Sequence, residues 1–224
     1  MTTRGGVIIP AYNEGERVLP VAEAALGSSR IDEVIVVNDG STDQTEDILS
    51  EIDGITVLTH GANRGKGEAL DTGVNHARRN GHQNLVFLDA DLQGINSSHI
   101  ETLLAPLEDE AVPMTIGYLG LRKAIVKKAI LNQWGALSGQ RAIREDVWDL
   151  LSFTDKHGFN VEAALNARIR KEGMHTEVTR VELDGLGHVG KRDKEDTLAS
   201  ALRAYSRTYG SALMTYLRIE LEKH

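Results

Sequence analysis

The chain has 224 residues, 41% of them hydrophobic, which allows one sizeable core rather than two domains. Its formal net charge of −8 argues against binding to a nucleic-acid backbone, which requires clustered lysine and arginine. It has no cysteine, which excludes disulfides, zinc–thiolate sites and thiol nucleophiles and is compatible with a cytoplasmic location. No apolar run reaches the roughly 18–20 residues of a membrane-spanning helix, so we expect any membrane contact to be peripheral.

The first hundred residues alternate between apolar strands and helices. Strands are predicted at 6–12, 33–39, 55–59 and 84–89, and helices at 15–26, 41–51, 66–79 and after 98. Two of these helices are expected to begin at capping boxes, Ser41–Gln44 and Ser98–Glu101. Apolar strands separated by helices predict a mostly parallel, Rossmann-like α/β sheet that is covered on both faces.

The second half is less regular. Strands are predicted at 113–118 and 176–183, and helices at 121–133, 145–151 and 160–173. A polar, glycine-rich segment at 185–196 precedes a last helix, which carries an apolar stripe formed by Leu198, Leu202, Tyr205, Tyr209, Leu213 and Tyr216. We expect this stripe to pack on the sheet or on a second copy of the chain, which leaves a homodimer open.

The segment LVFLDADLQG (85–94) ends a strand in two carboxylates, Asp89 and Asp91. Two neighbouring acids repel each other, and their burial is costly unless a cation compensates. Residues i and i+2 can point the same way, so both acids could converge on one divalent cation, with Gln93 as a neutral oxygen ligand. Oxygen ligands suit Mg²⁺ or Mn²⁺, which bridge to substrate phosphates. The alternative is a capped strand end with solvated acids.

Three further segments follow strands at the same predicted edge of the sheet, where ligands of such sheets bind. In VNDGSTDQT (37–45), Asp39 could accept a hydrogen bond from a uracil imide or a ribose hydroxyl, and IIPAYNEGE (8–16) follows the first strand. NRGKGEALDTGV (63–74) places Arg64 and Lys66 in a glycine-rich turn before a helix, where a phosphate binds well. This turn is not a Walker loop, and GLGHVG (185–190) lacks the second strand that a dinucleotide site needs.

In this order and spacing, these four segments resemble the nucleotide-sugar half of family-2-type glycosyltransferases with the GT-A fold. The resemblance implies a single domain over 1–224, with a nucleotide-sugar half at 1–95 and an acceptor half at 96–224. It implies that the base and ribose are surrounded by Pro10, Ala11, Tyr12, Glu14 and Asp39. It also implies that Lys66, Asp89 and Ala90 help to hold the donor and that Asp91 ligates a metal bridging its two phosphates.

The second half is similar to the glucosyl-3-phosphoglycerate synthases, through LSGQRAIRED (137–146), GFNVEAALN (158–166) and GHVGKRD (187–193). This similarity implies that His188 joins Asp91, Asp89 and Gln93 at the metal and that Glu162 stands near the acceptor as a catalytic carboxylate. It assigns the acceptor side to Ser138, Gly139, Gln140, Arg141, Lys191 and Arg192. DADLQG with SGQR is also similar to the dolichyl-phosphate mannose synthases, which act on a lipid phosphate.

The sequence thus predicts a metal-dependent transfer of sugar from a nucleotide sugar, with UDP favoured, to a small phosphorylated or acidic acceptor. A polyprenyl-phosphate acceptor is the main alternative, although LRKAIVKKAILNQW (121–134) is only weakly amphipathic. A sugar-phosphate nucleotidyltransferase is disfavoured, because PAYNEGER after the first strand lacks that class's basic, glycine-rich loop. The intact carboxylates and Lys66 argue against a non-catalytic scaffold. A transferase that inverts the configuration of the sugar needs a general base, for which Glu162, Glu145 or Asp146 could serve. The resemblance to the phosphoglycerate enzymes slightly favours retention of configuration, which needs no protein base.

Overall fold

The computed structural model describes residues 4–119, 138–156, 161–188 and 198–222. In the first half, the elements are β1 (Gly5–Ala11), α1 (Leu19–Leu26), β2 (Ile31–Asn38), α2 (Thr45–Ser50), β3 (Ile55–Thr59), α3 (Lys66–Arg79) and β4 (Asn84–Phe87). They are followed by β5 (Leu92–Gln93), α4 (Ser97–Leu104), β6 (Met114–Leu119), β7 (Arg141–Arg144), α5 (Val161–Lys171), β8 (Thr179–Leu183), β9 (Gly187–His188) and α6 (Leu198–Leu221). Short 3₁₀ turns cover Gly15–Val18, Ala105–Glu108, Glu145–Leu150, Phe153–Lys156 and Met174–Thr176.

Seven of the strands form one mixed sheet in the order β3-β2-β1-β4-β7-β6-β8. The four strands of the first half run parallel to one another, β7 is antiparallel to both of its neighbours, and β8 is parallel to β6. A separate two-stranded ribbon joins β5 to β9. The predicted α/β class and mostly parallel first half are confirmed, and β4 lies at the centre of the sheet.

The apolar strands are buried on both faces, as their continuous hydrophobic runs predict. In β1, Val7 and Ile9 pack into one core cluster and Ile8 into the other, and all three are fully buried. The cluster around Ile8 includes side chains of α3 and α5, and the cluster around Val7 includes side chains of α1 and α4. Helices on both faces therefore leave the carboxyl edge of the parallel strands as the accessible part of the sheet.

The predicted capping box at Ser41 is wrong, because α2 begins at Thr45 without a side-chain cap. The Ser41 hydroxyl instead accepts a hydrogen bond from the backbone N–H of Asn13, at 3.0 Å. The box predicted at Ser98–Glu101 exists two residues earlier, with Asn96 as the N-cap and His99 as its reciprocal partner. Ser41 thus satisfies a backbone group of another loop, and the Ser98 hydroxyl donates to the Asn96 side chain, so neither serine caps the helix as its spacing predicted.

The second half differs more from the prediction. β7 lies where no element was predicted, and the helix predicted at 145–151 is a 3₁₀ turn, Glu145–Leu150. The helix predicted at 121–133 lies outside the described residues. In α6, Tyr216 packs against the core while Leu213 is 38% exposed, and the other four side chains of the predicted stripe lie outside the described part of the chain. None of the described helices combines the length and apolar character that crossing a membrane requires.

Glu33 is the centre of a polar cluster near the start of β2, at the opposite edge from the strand ends. Its carboxylate accepts hydrogen bonds from Thr56, His76, Asn80 and His82, at 2.8 to 2.9 Å. Burial raises the pKa of Glu33, but these four hydrogen bonds outweigh burial and lower the pKa to about 2. These hydrogen bonds connect β3 and the end of α3 to the first half of β2.

We expect the Glu33 cluster to make the fold sensitive to acid. A carboxylate whose pKa falls from 4.5 to about 2 on folding stabilises the protein above about pH 4.5, and its contribution is lost as the pH falls towards 2. The size of the shift corresponds to about 3 kcal/mol. Glu33→Gln should lower the free energy of unfolding at neutral pH by up to about this amount and flatten its decline in acid, measured by urea unfolding. Glu51→Gln, at an exposed position, is the control, and an unchanged acid profile in Glu33→Gln would contradict this expectation.

Candidate active site

The loops that follow β1 and β2 are joined into one framework. The backbone N–H of Asn13 donates to Ser41 Oγ at 3.0 Å, and Asn13 Oδ1 accepts from the N–H of Thr42 at 2.8 Å. The backbone N–H groups of Glu14 and Gly15 both donate to Thr45 Oγ1. Asn13 has a φ of 54°, which asparagine tolerates better than most residues. Tyr12 is 43% exposed beside this framework, so a broad aromatic surface is available at the carboxyl edge.

The other predicted donor residues lie along the same strand end. Ala11, at the end of β1, and Ala90, after β4, are both buried, and Pro10 is half-buried in β1. The Glu14 carboxylate accepts from Arg17 Nε at 2.7 Å. The structure therefore brings the predicted residues to one edge. The side chains of Ala11 and Ala90 are buried and pack in the core, so they do not line an open surface.

Asp39 is 3% exposed and is held by three hydrogen bonds from the protein. Oδ1 lies 2.6 Å from His60 Nδ1 and accepts from the backbone N–H of Arg64 at 2.9 Å, and Oδ2 accepts from the N–H of Gly65 at 2.7 Å. We expected Asp39 only to contact a ligand. The structure shows that it also shapes the turn that leads to Lys66, a role for which the sequence contained no signal.

Lys66 is the first residue of α3, and its ammonium group joins two carboxylates that are distant in sequence. Nζ lies 2.6 Å from Asp89 Oδ1 and 2.5 Å from Glu162 Oε1. The three side chains are 17%, 22% and 11% exposed, in the order Lys66, Asp89, Glu162. Burial lowers the pKa of Lys66, but the two carboxylates outweigh burial and raise it, so the lysine keeps its charge. Three predicted site residues are thus brought into direct contact.

The segment 138–140 holds Asp89 from the other side. Gln140 Nε2 donates to Asp89 Oδ2 at 2.7 Å, and Ser138 Oγ donates to Gln140 Oε1 at 2.8 Å. Gly139 passes so close that a Cβ there would lie 2.7 Å from Cγ of Asp89. We expected these residues to face the acceptor. The structure shows that they also orient the first carboxylate of the DADLQG segment.

Gly139→Ala should therefore displace Asp89 and impair the site without disrupting the core. The added methyl group cannot fit unless the Asp89 carboxylate moves, and Lys66 and Gln140 hold that carboxylate in place. We expect at least a tenfold loss of catalytic rate, on the order expected for misplacing one positioned group, and a small change in Tm. Gly61→Ala is the matched control, since a Cβ at Gly61 meets no atom within 4 Å. Equal rates for both variants would contradict the proposed role of Gly139.

Arg141 differs from its predicted role as an acceptor-facing cation. It lies in β7, is 1% exposed, and donates from Nε to the Ser138 carbonyl and from Nη1 to Asn166 Oδ1, both at 2.7 Å. Burial lowers its pKa to about 10, against the opposing effect of Glu162 and Asp89. The guanidinium group is thus a buried support for segment 138–140. It contributes positive potential beneath the site rather than donors at its surface.

The predicted metal ligands are distributed around the β5–β9 ribbon. Asp91 is half-buried immediately before β5, and Leu92 pairs with His188 across the ribbon, so the backbone of His188 lies beside Asp91. Gln93 is exposed and pairs with Gly187. Among the described residues, no three histidine or acidic side chains are grouped so that they could hold a metal ion. The side chain of His188, together with Lys191 and Arg192, lies outside the described part of the chain.

The Asp89 carboxylate already acts as an acceptor for the protein. Both Asp89 oxygens accept hydrogen bonds from protein donors, Lys66 and Gln140. Mg²⁺ is commonly held by one or two protein ligands, with waters and substrate phosphates completing its octahedron. Asp91 directly precedes Leu92, which pairs with His188, so a carboxylate and an imidazole from these two positions would provide such a small donor set and would also suit Mn²⁺.

The chain is similar to several known proteins. The model of the family described as glycosyl transferase family 2 matches residues 6–160. An uncharacterized protein of Methanocaldococcus jannaschii is 33% identical over 111 residues, which cover 50% of this chain and 44% of that protein. The 4,4'-diaponeurosporenoate glycosyltransferase of Staphylococcus aureus strain USA300 is 36% identical over 103 residues, which cover 44% of this chain and 26% of the relative. The matched part is thus less than half of either relative.

Solved structures show the same fold over nearly the whole chain. Glucosyl-3-phosphoglycerate synthase from Mycobacterium tuberculosis, solved with Mn²⁺, UDP and glucosyl-3-phosphoglycerate, has a TM-score of 0.75 and 24% identity, covering 96% of this chain and 80% of that one. A structure of that enzyme with Mg²⁺ and UDP has a TM-score of 0.74 at the same identity, covering 96% and 79%. This likeness establishes the GT-A fold, and the family match extends over more than half of the sequence. The chain therefore belongs to glycosyl transferase family 2.

Proposed function

We propose that this protein transfers a sugar from a UDP-linked donor to a small anionic acceptor, with the help of Mg²⁺ or Mn²⁺. The observation that carries the proposal is the contact of Lys66 with Asp89 and Glu162 at the end of the central strand. It places a charged lysine between the segments assigned to the donor and to the acceptor. Family membership supports glycosyl transfer as the reaction.

The carboxyl edge of the sheet provides the parts of a nucleoside site. Tyr12 offers an exposed ring on which a base can stack, and Asp39 offers a carboxylate that can only accept hydrogen bonds. The imide of uracil and the hydroxyls of ribose are suitable donors. The Mycobacterium tuberculosis enzyme, whose fold this chain shares, has been solved with UDP, which supports the choice of nucleotide.

Asp91 and His188 would hold the divalent cation, and structures of the same mycobacterial enzyme contain Mn²⁺ or Mg²⁺. When bound, such an ion supplies positive charge that stabilises the departing diphosphate. Lys66 adds a second positive charge at the end of the strand that carries Asp89. Because Asp89 and Glu162 fix its ammonium group, this charge is oriented before the donor binds, at little cost in reorganisation.

Glu162 has a positioning role in this proposal. Its carboxylate already accepts from Lys66 and its side chain is 11% exposed, so it is less suited to activating an acceptor hydroxyl than a carboxylate facing the solvent would be. This arrangement supports a route in which a leaving phosphate oxygen accepts the acceptor's proton, and hence retention of configuration. Glu145 is an even weaker candidate base, because it is bound to Arg78.

A panel of nucleotide sugars tests the proposal. Purified protein with Mn²⁺ or Mg²⁺ is incubated with UDP-glucose, other UDP-sugars or GDP-mannose and scored for nucleoside-diphosphate release. Each donor is assayed without acceptor, with 3-phosphoglycerate and with a polyprenyl phosphate. We expect UDP release that depends on the metal and increases with 3-phosphoglycerate, and ¹H NMR of the anomeric proton reports the stereochemistry. Failure of every donor to bind or react would refute the proposal.

The lipid-phosphate acceptor is a separate outcome of the same panel. The named Staphylococcus aureus relative is a 4,4'-diaponeurosporenoate glycosyltransferase, which shows that apolar acceptors occur within the set of similar proteins. The segment at 121–134, which gave the lipid alternative only weak amphipathic support, lies outside the described residues. Stimulation by the polyprenyl phosphate alone would replace the small anionic acceptor in the proposal.

A further inference from the structure

His60 connects the proposed nucleoside site to the interior of the protein. It follows β3 and is 6% exposed, and its backbone N–H donates to the Asn38 carbonyl at 2.9 Å. Its ring makes two contacts: Nδ1 lies 2.6 Å from Asp39 Oδ1, and Nε2 lies 2.9 Å from Thr72 Oγ1 on α3. The ring therefore bridges β2, β3 and α3 at the point where Asp39 leaves the sheet.

The chemistry of these contacts defines the direction of the hydrogen bonds. A carboxylate can only accept, so the His60 nitrogen that faces Asp39 carries a proton. In the neutral ring, the other nitrogen accepts from the Thr72 hydroxyl. The two backbone donors at Arg64 and Gly65 complete the set around Asp39. All three protein donors are thus arranged to leave the carboxylate in a single orientation.

We infer that His60 is a positioning residue for nucleotide binding, acting through Asp39. This inference rests on the proposed function, because it takes Asp39 as the carboxylate that accepts from the base or ribose. Without the His60 bond, Asp39 Oδ1 loses its only side-chain donor among the described contacts and the carboxylate is held only by the backbone N–H groups of Arg64 and Gly65, so it is oriented less firmly towards the nucleoside. His60 lies behind Asp39 and does not itself need to touch the ligand.

Two substitutions of similar shape separate this role from simple packing. In His60→Asn, the amide nitrogen can occupy roughly the place of Nδ1 and keep the bond to Asp39. In His60→Gln, the amide reaches towards Thr72 and leaves Asp39 without that donor. We expect His60→Gln to weaken UDP binding about tenfold, the effect of losing a hydrogen bond to a charged group. We expect the UDP affinity of His60→Asn to stay close to that of the parent. Thr72→Val, which leaves the Asp39 contact in place, should also bind like the parent.

The experiment measures UDP affinity by calorimetry and donor KM and kcat for the parent and the three variants. We expect His60→Gln to raise KM while leaving kcat nearly unchanged, because the nucleoside is remote from the bond that breaks. Equal losses in the asparagine and glutamine variants, or no loss in either, would overturn the role of His60. Absence of UDP binding by the parent would instead overturn the proposed function on which the inference rests.

A measurement on the unsubstituted protein covers the case in which the variants do not fold. With ¹⁵N-histidine labelling, NMR identifies which nitrogen of His60 carries the proton and whether its signal shifts on addition of UDP. We expect a proton on Nδ1 and a shift of the Nδ1 signal as UDP saturates the site. A proton on Nε2 alone, or saturation with UDP without any shift at His60, would contradict the inference.

Discussion

Replacing Asp91 with asparagine is expected to lower kcat for sugar transfer by about two to three orders of magnitude, the range seen when one group that stabilises transition-state charge is removed. The amide has nearly the same shape but lacks the charge that a divalent cation requires. Asp91 is half-buried at the end of the sheet rather than in its core, so Tm should change little. Nucleoside-diphosphate release with Mn²⁺ measures the rate, and calorimetric titration with Mn²⁺ in the presence of UDP measures metal affinity independently of turnover.

Asp47→Asn provides the matched control for Asp91. It makes the same chemical change at an exposed position in α2, away from the strand end, and should leave both rate and metal affinity at parental values. Chelation of the metal from the parent should reproduce the Asp91→Asn phenotype, and added Mn²⁺ should reverse it. A parental rate in Asp91→Asn with metal present would remove Asp91 from the proposed site.

Lys66→Met should affect stability as well as activity. It removes the cation between Asp89 and Glu162 and leaves two largely buried carboxylates without that compensating charge. Breaking a buried pair on one side typically costs 3–5 kcal/mol, and we expect about 3 kcal/mol here because the Lys66 side chain retains 17% exposure. Transfer should also fall by at least about a hundredfold, since the charge beside the leaving diphosphate is lost. Urea unfolding and the diphosphate-release assay measure the two effects.

A second substitution distinguishes charge from packing in the Lys66 result. Lys66→Met combined with Glu162→Gln removes one of the two carboxylates, so the double variant should be more stable than Lys66→Met alone while remaining inactive. Glu162→Gln by itself leaves the Lys66–Asp89 pair and should cost less than Lys66→Met. A double variant whose stability loss is the sum of the single losses would show that the ion pair between Lys66 and Glu162 does not stabilise the protein.

Local sequence patterns predicted the first half of the fold well. The bounds of β3 and α3 agree with the structure, because β3 is a short apolar run between turns and α3 begins after a glycine-rich turn. β7 was missed because its two ends are arginines, and nothing in QRAIRE shows that Arg141 finds buried partners at Ser138 and Asn166. Local pattern cannot reveal a buried cation whose burial depends on another element of the fold.

The sequence predicted which residues form the site better than it predicted what each of them does. The expectation that segments following parallel strands meet at one edge of the sheet correctly predicted that Asp39, Lys66 and Asp89 lie there. The family resemblance added Glu162 to the predicted site, and Glu162 contacts Lys66. Neither could show that Gln140 supports Asp89, because the two residues are 51 positions apart and their bond depends on the pairing of β7 with β4. His60 was missed for a different reason, because an isolated histidine after a strand has no distinguishing sequence pattern.

The central place of β4 has a consequence for dividing this protein into parts. β1 pairs with one side of β4 and β7 with the other, so a fragment ending near residue 95 would expose an unpaired hydrogen-bonding edge along a strand in which Leu85, Val86 and Phe87 are buried. Such an edge invites association with other chains. We therefore expect residues 1–95, although recognisable as a sequence module, not to fold on their own, and chimeras joined at this boundary to need a replacement for β7.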